Sequence, residues 1–262
     1  NVTISSGSIF GLIGPNGAGK STLLYLLNGI SKCDEGSILF DGKEVYENPD
    51  VKKDILFISD DPYYFHFATI DEMKDFYLTF YPQFNLETYQ HYVDLFRLPQ
   101  NKPLKDYSKG MKMKLSIAVA FSHETKLLIL DEATSGLDPI MRDEILDMFL
   151  EFIQDEEHSI LVSSHITSDL EKVADYIVFI HNGKVLFSKP KDELIEQYGI
   201  IKCNAKQFDE LNKNDIIRYR KQDYEWQVLV ANRQKAEKDY PHALVVPASI
   251  DDIMLLYVKG EY

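Results

Sequence analysis

Apolar and polar positions along this chain switch between two periods, and the switches mark its elements. Ile9-Phe10-Gly11-Leu12-Ile13 is a short apolar run ending in a glycine-rich stretch, and leucines then recur at helical spacing from Ser21 to Ile30. That order predicts strand, loop, helix. Ser37 to Phe40, Asp41-Gly42 and Lys43 to Tyr46 form a hairpin pattern, because Asp-Gly accepts the positive φ of a tight turn. Antiparallel strands are therefore expected beside the glycine-rich loop. From about Asp61 to Ser122 the strand signals fade, aromatic residues crowd in from Tyr63 to Phe84, and the pattern turns helical. Leu127-Leu128-Ile129-Leu130 and Ile160-Leu161-Val162 then read as buried parallel strands, separated by a helix over about Pro139 to Gln154. A second hairpin is expected at Asn182-Gly183, and strands at Glu225 to Ala231 and Ala243 to Val246 precede a closing helix from about Ile250. The fold class expected is α/β: a mainly parallel sheet, a flanking antiparallel β subdomain, a helical insertion over about 61–124, and a small α+β accessory domain over 191–262 after a main unit of 1–190.

Bulk properties narrow the partners. A chain of 262 residues with 45% hydrophobic content can bury one large or two modest cores. Its formal charge of −14 repels phosphate backbones over most of the surface, which argues against nucleic acid. Cys33 and Cys203 are the only cysteines and form no CxxC pair, so neither a disulfide framework nor a zinc site is expected, and a reducing cytoplasm fits. No apolar run approaches the roughly 18 residues that span a bilayer. The start at Asn1 falls in mid-pattern, as though an earlier strand had been left out, and the Asn1-Val2-Thr3 sequon is read as an accident.

Gly14-Pro15-Asn16-Gly17-Ala18-Gly19-Lys20-Ser21 satisfies the P-loop pattern, with a strand before it and a helix after it. Glycines let consecutive N–H groups curl towards phosphates, the helix N-terminus adds positive potential, and Lys20 reaches the terminal phosphates. The expected phosphate site runs from Gly14 through Ser21 to Thr22, with the Ser21 hydroxyl on Mg²⁺. Leu127 to Leu130 ends in Asp131-Glu132, two carboxylates at the edge where open α/β sheets bind ligands. Asp131 suits the metal, and Glu132 suits a proton acceptor for attacking water, on the reasoning that alternate side chains at a strand end diverge.

Further motifs follow in the order of ABC ATPases, which this chain resembles over about Ile9 to Ser188. Tyr107-Ser108-Lys109-Gly110-Met111 is similar to the family's Leu-Ser-Gly-Gly-Gln signature, Ser135-Gly136-Leu137-Asp138 to its D-loop, and Ser164-His165 to its H-loop. The resemblance implies the ATP-binding and ATP-hydrolysing subunit of an ABC transporter, with ATP and Mg²⁺ as cofactors. It implies a dimer in which Ser108 and Gly110 bind the γ-phosphate held by the opposite subunit. Asp138 is then a dimer contact, His165 contacts the γ-phosphate, and Lys20, Glu132 and His165 are the catalytic set. By themselves, Ser108 and Gly110 are also a plain helix start.

Three departures from the family pattern stand out. Tyr107, Lys109 and Met111 replace three signature residues; Phe57-Ile58-Ser59-Asp60-Asp61 has no glutamine, leaving Asp60 as a candidate metal ligand with Asp61 as its alternative; and the aromatic residue that stacks on adenine in the family is expected some way before Gly14, where this sequence starts too late to include it, so no adenine platform is named. The implied partners are a membrane-spanning subunit and a second cassette, identical or different, at the cytoplasmic face of a bacterial membrane. The aromatic surface around Tyr63 to Phe84 is the candidate contact for the membrane subunit. The signature, and Ser249 to Met254 near the end of the chain, resemble those of exporters of peptides, drugs or other amphipathic compounds. The competing classes are a soluble ABC-type ATPase on ribosomes or DNA, disfavoured by the single set of motifs and the acidic balance, and a weakly catalytic regulatory subunit.

Overall fold

A computed structural model describes residues 2–62, 64–223 and 225–262, so Asn1 of the sequon and Tyr63 of the aromatic surface lie outside the described residues. In chain order the elements begin with β1 (Ile9–Ile13), α1 (Lys20–Leu27), β2 (Leu39–Phe40), β3 (Lys43–Glu44), α2 (Pro49–Lys52) and β4 (Ile55–Ile58). Then come α3 (Ile70–Phe80), α4 (Leu86–Leu95), α5 (Lys109–Phe121), β5 (Leu127–Asp131), α6 (Pro139–Phe152), β6 (Ser159–Ser163) and α7 (Thr167–Val173). The remainder is β7 (Tyr176–His181), β8 (Lys184–Pro190), α8 (Lys191–Gln197), β9 (Gly199–Cys203), α9 (Ala205–Asp209), β10 (Ile216–Gln222), β11 (Glu225–Val230), α10 (Arg233–Asp239), β12 (Leu244–Pro247) and α11 (Ile250–Lys259).

The apolar runs of the sequence become the centre of a six-stranded sheet in the order β4-β5-β6-β1-β7-β8. The first five strands pair in parallel and β8 closes one edge antiparallel to β7. Every residue of β1, β5 and β6 is buried, as a sheet covered on both faces requires. Alternation divides each strand between two cores: Ile9, Leu128, Leu130, Ile160 and Val162 face the larger one, while Phe10, Leu12, Ile129 and Leu161 face a smaller one with Leu24 of α1. All carboxyl ends of the parallel strands thereby fall on one edge.

Both expected hairpins form. Asp41 and Gly42 have φ of 50° and 76°, and Asn182 and Gly183 have 49° and 71°, the left-handed pairs that a two-residue hairpin turn needs. The first hairpin is only two residues deep on each side, a smaller antiparallel element than the sequence suggested.

Between β4 and β5 the chain is helical. Thr69 and Glu72 close a capping box at the start of α3, and Asn85 caps α4. Most aromatic residues here are core: Tyr64, Phe84, Tyr89, Tyr92 and Phe96 are buried, whereas Phe65, Phe67 and Phe80 are 54%, 78% and 64% exposed. The imidazole of His123 is enclosed by Tyr77, Tyr81 and Phe84 and sits 2.8 Å from the Val119 carbonyl.

The final segment builds a four-stranded antiparallel sheet in the order β10-β11-β9-β12. One of its faces has its own small core of Ile201, Cys203, Val228 and Val230. The other, with Ile200 and Leu229, meets Ile253 and Leu256 of α11 and merges with the large core of the main sheet. Tyr257 of α11 packs on Phe179 and Phe187, so this sheet is joined to the cassette by apolar packing as well as by the chain.

Candidate functional site

The glycine-rich loop links β1 to α1 and is supported from below by the second hairpin. The Gly183 N–H donates to the Ala18 carbonyl at 2.9 Å, and the Ala18 N–H to the Pro15 carbonyl at 3.1 Å. Gly14 is buried so closely against the Ile180 carbonyl that a Cβ there would collide with it, while Gly19, at φ 106°, has a left-handed conformation that L side chains rarely adopt. Lys20 is buried, and its Nζ donates to the Gly14 carbonyl at 2.8 Å. An ammonium has three donors, so two remain for another acceptor. Ser21 and Thr22 are exposed on the first turn of α1.

At the carboxyl ends of β5 and β6 two carboxylates are held in different ways. Asp131 is 6% exposed, and its Oδ1 accepts from the fully buried Ser163 hydroxyl at 2.5 Å, leaving Oδ2 without a hydrogen bond from any described residue. Glu132 departs from the sequence reasoning. It lies beyond the strand at φ 51°, so a left-handed turn, and not strand alternation, swings its side chain towards the loop. Its N–H is held by the Ser163 carbonyl and hydroxyl, at 3.2 and 3.1 Å, and its carbonyl accepts from Ser135 at 3.0 Å. The carboxylate then lies between two cationic or proton-bearing groups: Oε1 is 4.0 Å from Lys20 Nζ, and Oε2 is 2.5 Å from His165 Nδ1. Glu132 is 19% and His165 53% exposed at the side chain, so this edge is open to a ligand. Three elements thus converge Lys20, Glu132 and His165, with Asp131 alongside. Sequence reasoning missed Ser163; its one signal is a hydroxyl closing the apolar run of β6.

The other sequence-predicted residues lie apart from that cluster. Asp60 and Asp61 follow β4 on the same sheet edge and are exposed, and among the described residues neither bonds to Asp131 or Glu132. Ser108 caps α5 by accepting the Met111 N–H at 3.2 Å. Among the described residues no hydrogen bond joins it to the glycine-rich loop of its own chain. Gly110 is buried, and a Cβ there would collide with the Met141 sulfur, so the glycine sets how closely α5 approaches α6. Tyr107 is also core, its hydroxyl donating to the Pro99 carbonyl at 2.5 Å. Asp138 caps α6, its Oδ1 accepting from Ile140 and Met141 at 3.1 and 3.0 Å, and beside it Ile140 is 75% exposed.

This edge, with a phosphate-sized loop, a buried lysine and a carboxylate–imidazole pair, matches a known pattern. The profile of the family described as ABC transporter matches residues 1–135. The chain belongs to the ABC transporter family. As an ATP-binding cassette of that family it is an ATPase. It is 38% identical over 199 residues to the lantibiotic transport ATP-binding protein SrtF of Streptococcus pyogenes, covering 73% of this chain and 83% of that one. The bacitracin transport ATP-binding protein BcrA of Bacillus licheniformis is 33% identical over 208 residues, 74% of this chain and 64% of its own. A solved structure of the ATP-binding subunit of an ABC transporter superposes with a TM-score of 0.67 at 29% identity, over 74% of this cassette and 82% of that chain. These matches include the α/β fold class expected from the sequence.

The cassette's own atoms suit a hard cation held jointly with phosphate. Among the described residues no group of three or more His, Cys, Asp or Glu side chains is arranged to hold a metal. The available donors are oxygens, the exposed Ser21 hydroxyl and the unbonded Oδ2 of Asp131, a sparse set that phosphate and water oxygens would complete, as Mg²⁺ prefers.

Proposed function

We propose that the cassette powers export of a peptide or another amphipathic compound through a separate membrane-spanning subunit, working as a dimer over two Mg-ATP. The observation that carries the catalytic part is the convergence of Lys20 and His165 on the Glu132 carboxylate. In this reading the Gly14–Thr22 loop binds the phosphates through its N–H groups, Lys20 neutralises the terminal phosphate, and Ser21 and Asp131 hold Mg²⁺, with Asp60 as a further ligand. The metal supplies charge neutralisation on the phosphate oxygens. Glu132 accepts the proton of the attacking water, and His165, bonded to it, fixes that carboxylate and contacts the γ-phosphate. Ser108 and Gly110 serve the phosphates of the opposite subunit, which accounts for a second loop at a helix start that does not meet the phosphate loop of its own chain. Asp138 and the exposed Ile140 belong to the surface between the two cassettes.

Export is supported by the likeness to lantibiotic and bacitracin transport proteins and by the Tyr107–Met111 signature. In this reading, as for the transport ATP-binding proteins it resembles, a partner supplies the passage and the cassette works at the cytoplasmic face; no helix among the described residues is long and apolar enough to cross a membrane. The surface best suited to that partner is a groove of about 490 Å³ between β4 and the helical insertion, lined by Ile30, Lys53, Phe57, Tyr64, Tyr81 and His123, with exposed Phe65 and Phe67 on the same insertion. The test is affinity purification of the Glu132→Gln protein from native membranes with Mg-ATP. Recovery of a polytopic membrane protein at near-equal stoichiometry is expected; recovery only with ribosomes or DNA, or as a lone monomer, overturns the proposal.

A further inference from the structure

Two buried polar atoms, one on the half-buried Arg142 and one on the buried Asp169, face each other unsatisfied just behind the site. Arg142, in the first turn of α6, donates from Nη2 to the Leu137 carbonyl at 3.3 Å, and so grips the Ser135–Asp138 loop. Its Nε lies 3.8 Å from Oδ2 of Asp169 in α7. Asp169 is 5% exposed, and neither Arg142 Nε nor Asp169 Oδ2 has a hydrogen-bond partner. A charge-assisted bond of this type closes at about 2.7–2.9 Å, so the pair stands roughly one ångström open. Burial denies both atoms water, which makes the open arrangement the costlier of the two.

The position of this gap decides its consequence. Asp169 is in the first turn of α7, which begins two residues after His165, whose ring bonds Glu132. The far end of α7 is tied to α6 by the exposed Lys172, which donates to Asp143 at 2.5 Å and to Asp147 at 3.2 Å. At the end beside His165, where Leu170 packs on β1, the unclosed pair is the polar link between α6 and α7 among the described residues, and next to the loop that Arg142 grips, Gly136, Asp138 and, at the start of α6, Ile140 are exposed.

We propose that Arg142 is a positioning residue: contact of a second cassette with the Ser135–Ile140 surface closes the Arg142–Asp169 pair and so holds α7, and with it the existing His165–Glu132 bond, in place through the reaction. The inference rests on the dimeric reading above. It makes hydrolysis, and not ATP binding, depend on a pair that touches neither ATP nor water.

The experiment compares full-length Asp169→Asn, Arg142→Met, Arg142→Lys and the Arg142→Met/Asp169→Asn double variant with wild type and Glu132→Gln, measuring kcat, KM, ATP affinity and Tm. The expected result is a fall in kcat of about tenfold in each single variant, with ATP affinity within about twofold. The double variant should be no slower than the slower single one, since both remove one link. Arg142→Lys retains charge and fold but cannot reach Leu137 and Asp169 together, so it should lose kcat without losing Tm. Wild-type kcat in the single variants, multiplied losses in the double variant, or a kcat loss tracked by equal losses of Tm and affinity overturns the proposal. If Glu132→Gln still hydrolyses ATP, the catalytic reading itself fails; if only the Arg142 and Asp169 variants match wild type, the link alone fails.

Discussion

Replacing Ser163 by Ala tests how the metal-side carboxylate is held. The Ser163 hydroxyl is fully buried, donates to Asp131 Oδ1 at 2.5 Å and accepts from the Glu132 N–H at 3.1 Å. The substitution leaves the Glu132 turn standing, because that N–H keeps the Ser163 carbonyl at 3.2 Å. What disappears is a hydrogen bond to a buried charged group, worth about 1.5–3 kcal/mol. For a chain of this size each kcal/mol moves Tm by about 2–4 °C, so a loss of about 2 kcal/mol lowers it by about 4–8 °C. Freed of its anchor, Asp131 loses its fixed orientation, and a misplacement of about 1 Å in such a group costs up to about a hundredfold in kcat. Ser159→Ala, at the other end of β6, is the control: among the described residues its hydroxyl bonds the Ser5 carbonyl alone, at 3.2 Å and away from the site. Calorimetry and a steady-state phosphate-release assay should show both effects in Ser163→Ala and only a smaller Tm loss in Ser159→Ala. Equal kcat in the two variants would refute the reasoning.

Three further outcomes follow from the packing. Gly110→Ala should destabilise by about 1–3 kcal/mol through its clash with the Met141 sulfur, and Met141→Ala should recover part of that in denaturant titration; no recovery would disprove the close contact. Burial pushes the His123 imidazole below its ordinary value of 6.5, against the raising effect of the Val119 carbonyl. The unfolded chain then binds the proton more readily, so this contribution is fully present above pH 6.5 and is lost as pH falls below it. Tm should drop on acidification through that window less steeply in His123→Gln than in wild type, and identical slopes would contradict the buried neutral ring. Phe67→Glu, at a 78% exposed position, should leave the isolated ATPase within about twofold of wild type yet abolish association with the membrane partner, and intact association would count against that docking surface.

The sequence made legible what depends on local chemistry. The glycine-rich loop, the two left-handed hairpin turns and the apolar strands β1, β5 and β6 each carry a signal within about ten residues, because turn φ and two-sided burial restrict residue type directly. The direction of Glu132 was not legible, since it depends on a positive φ that nothing about glutamate advertises and on a hydroxyl in another strand. Gly110 read as a signature residue and a helix start, and its packing role was not legible because its neighbour, Met141, is 31 positions away in sequence and adjacent in space. In the final segment β9 and β10 escaped notice: Gly199–Cys203 is a five-residue run wedged between helices, and Ile216–Gln222 is largely polar. Their sheet order, β10-β11-β9-β12, is set by long-range pairing that no local pattern encodes.

The most direct test of the account is single-turnover hydrolysis of bound ATP by Glu132→Gln, alongside its ATP affinity. Because Gln keeps the shape but cannot take the proton, affinity should match wild type while the hydrolysis rate falls by about 10²–10⁴. Hydrolysis at the wild-type rate would contradict the assignment of Glu132 as general base and, with it, the catalytic role given to the meeting of Lys20, Glu132 and His165.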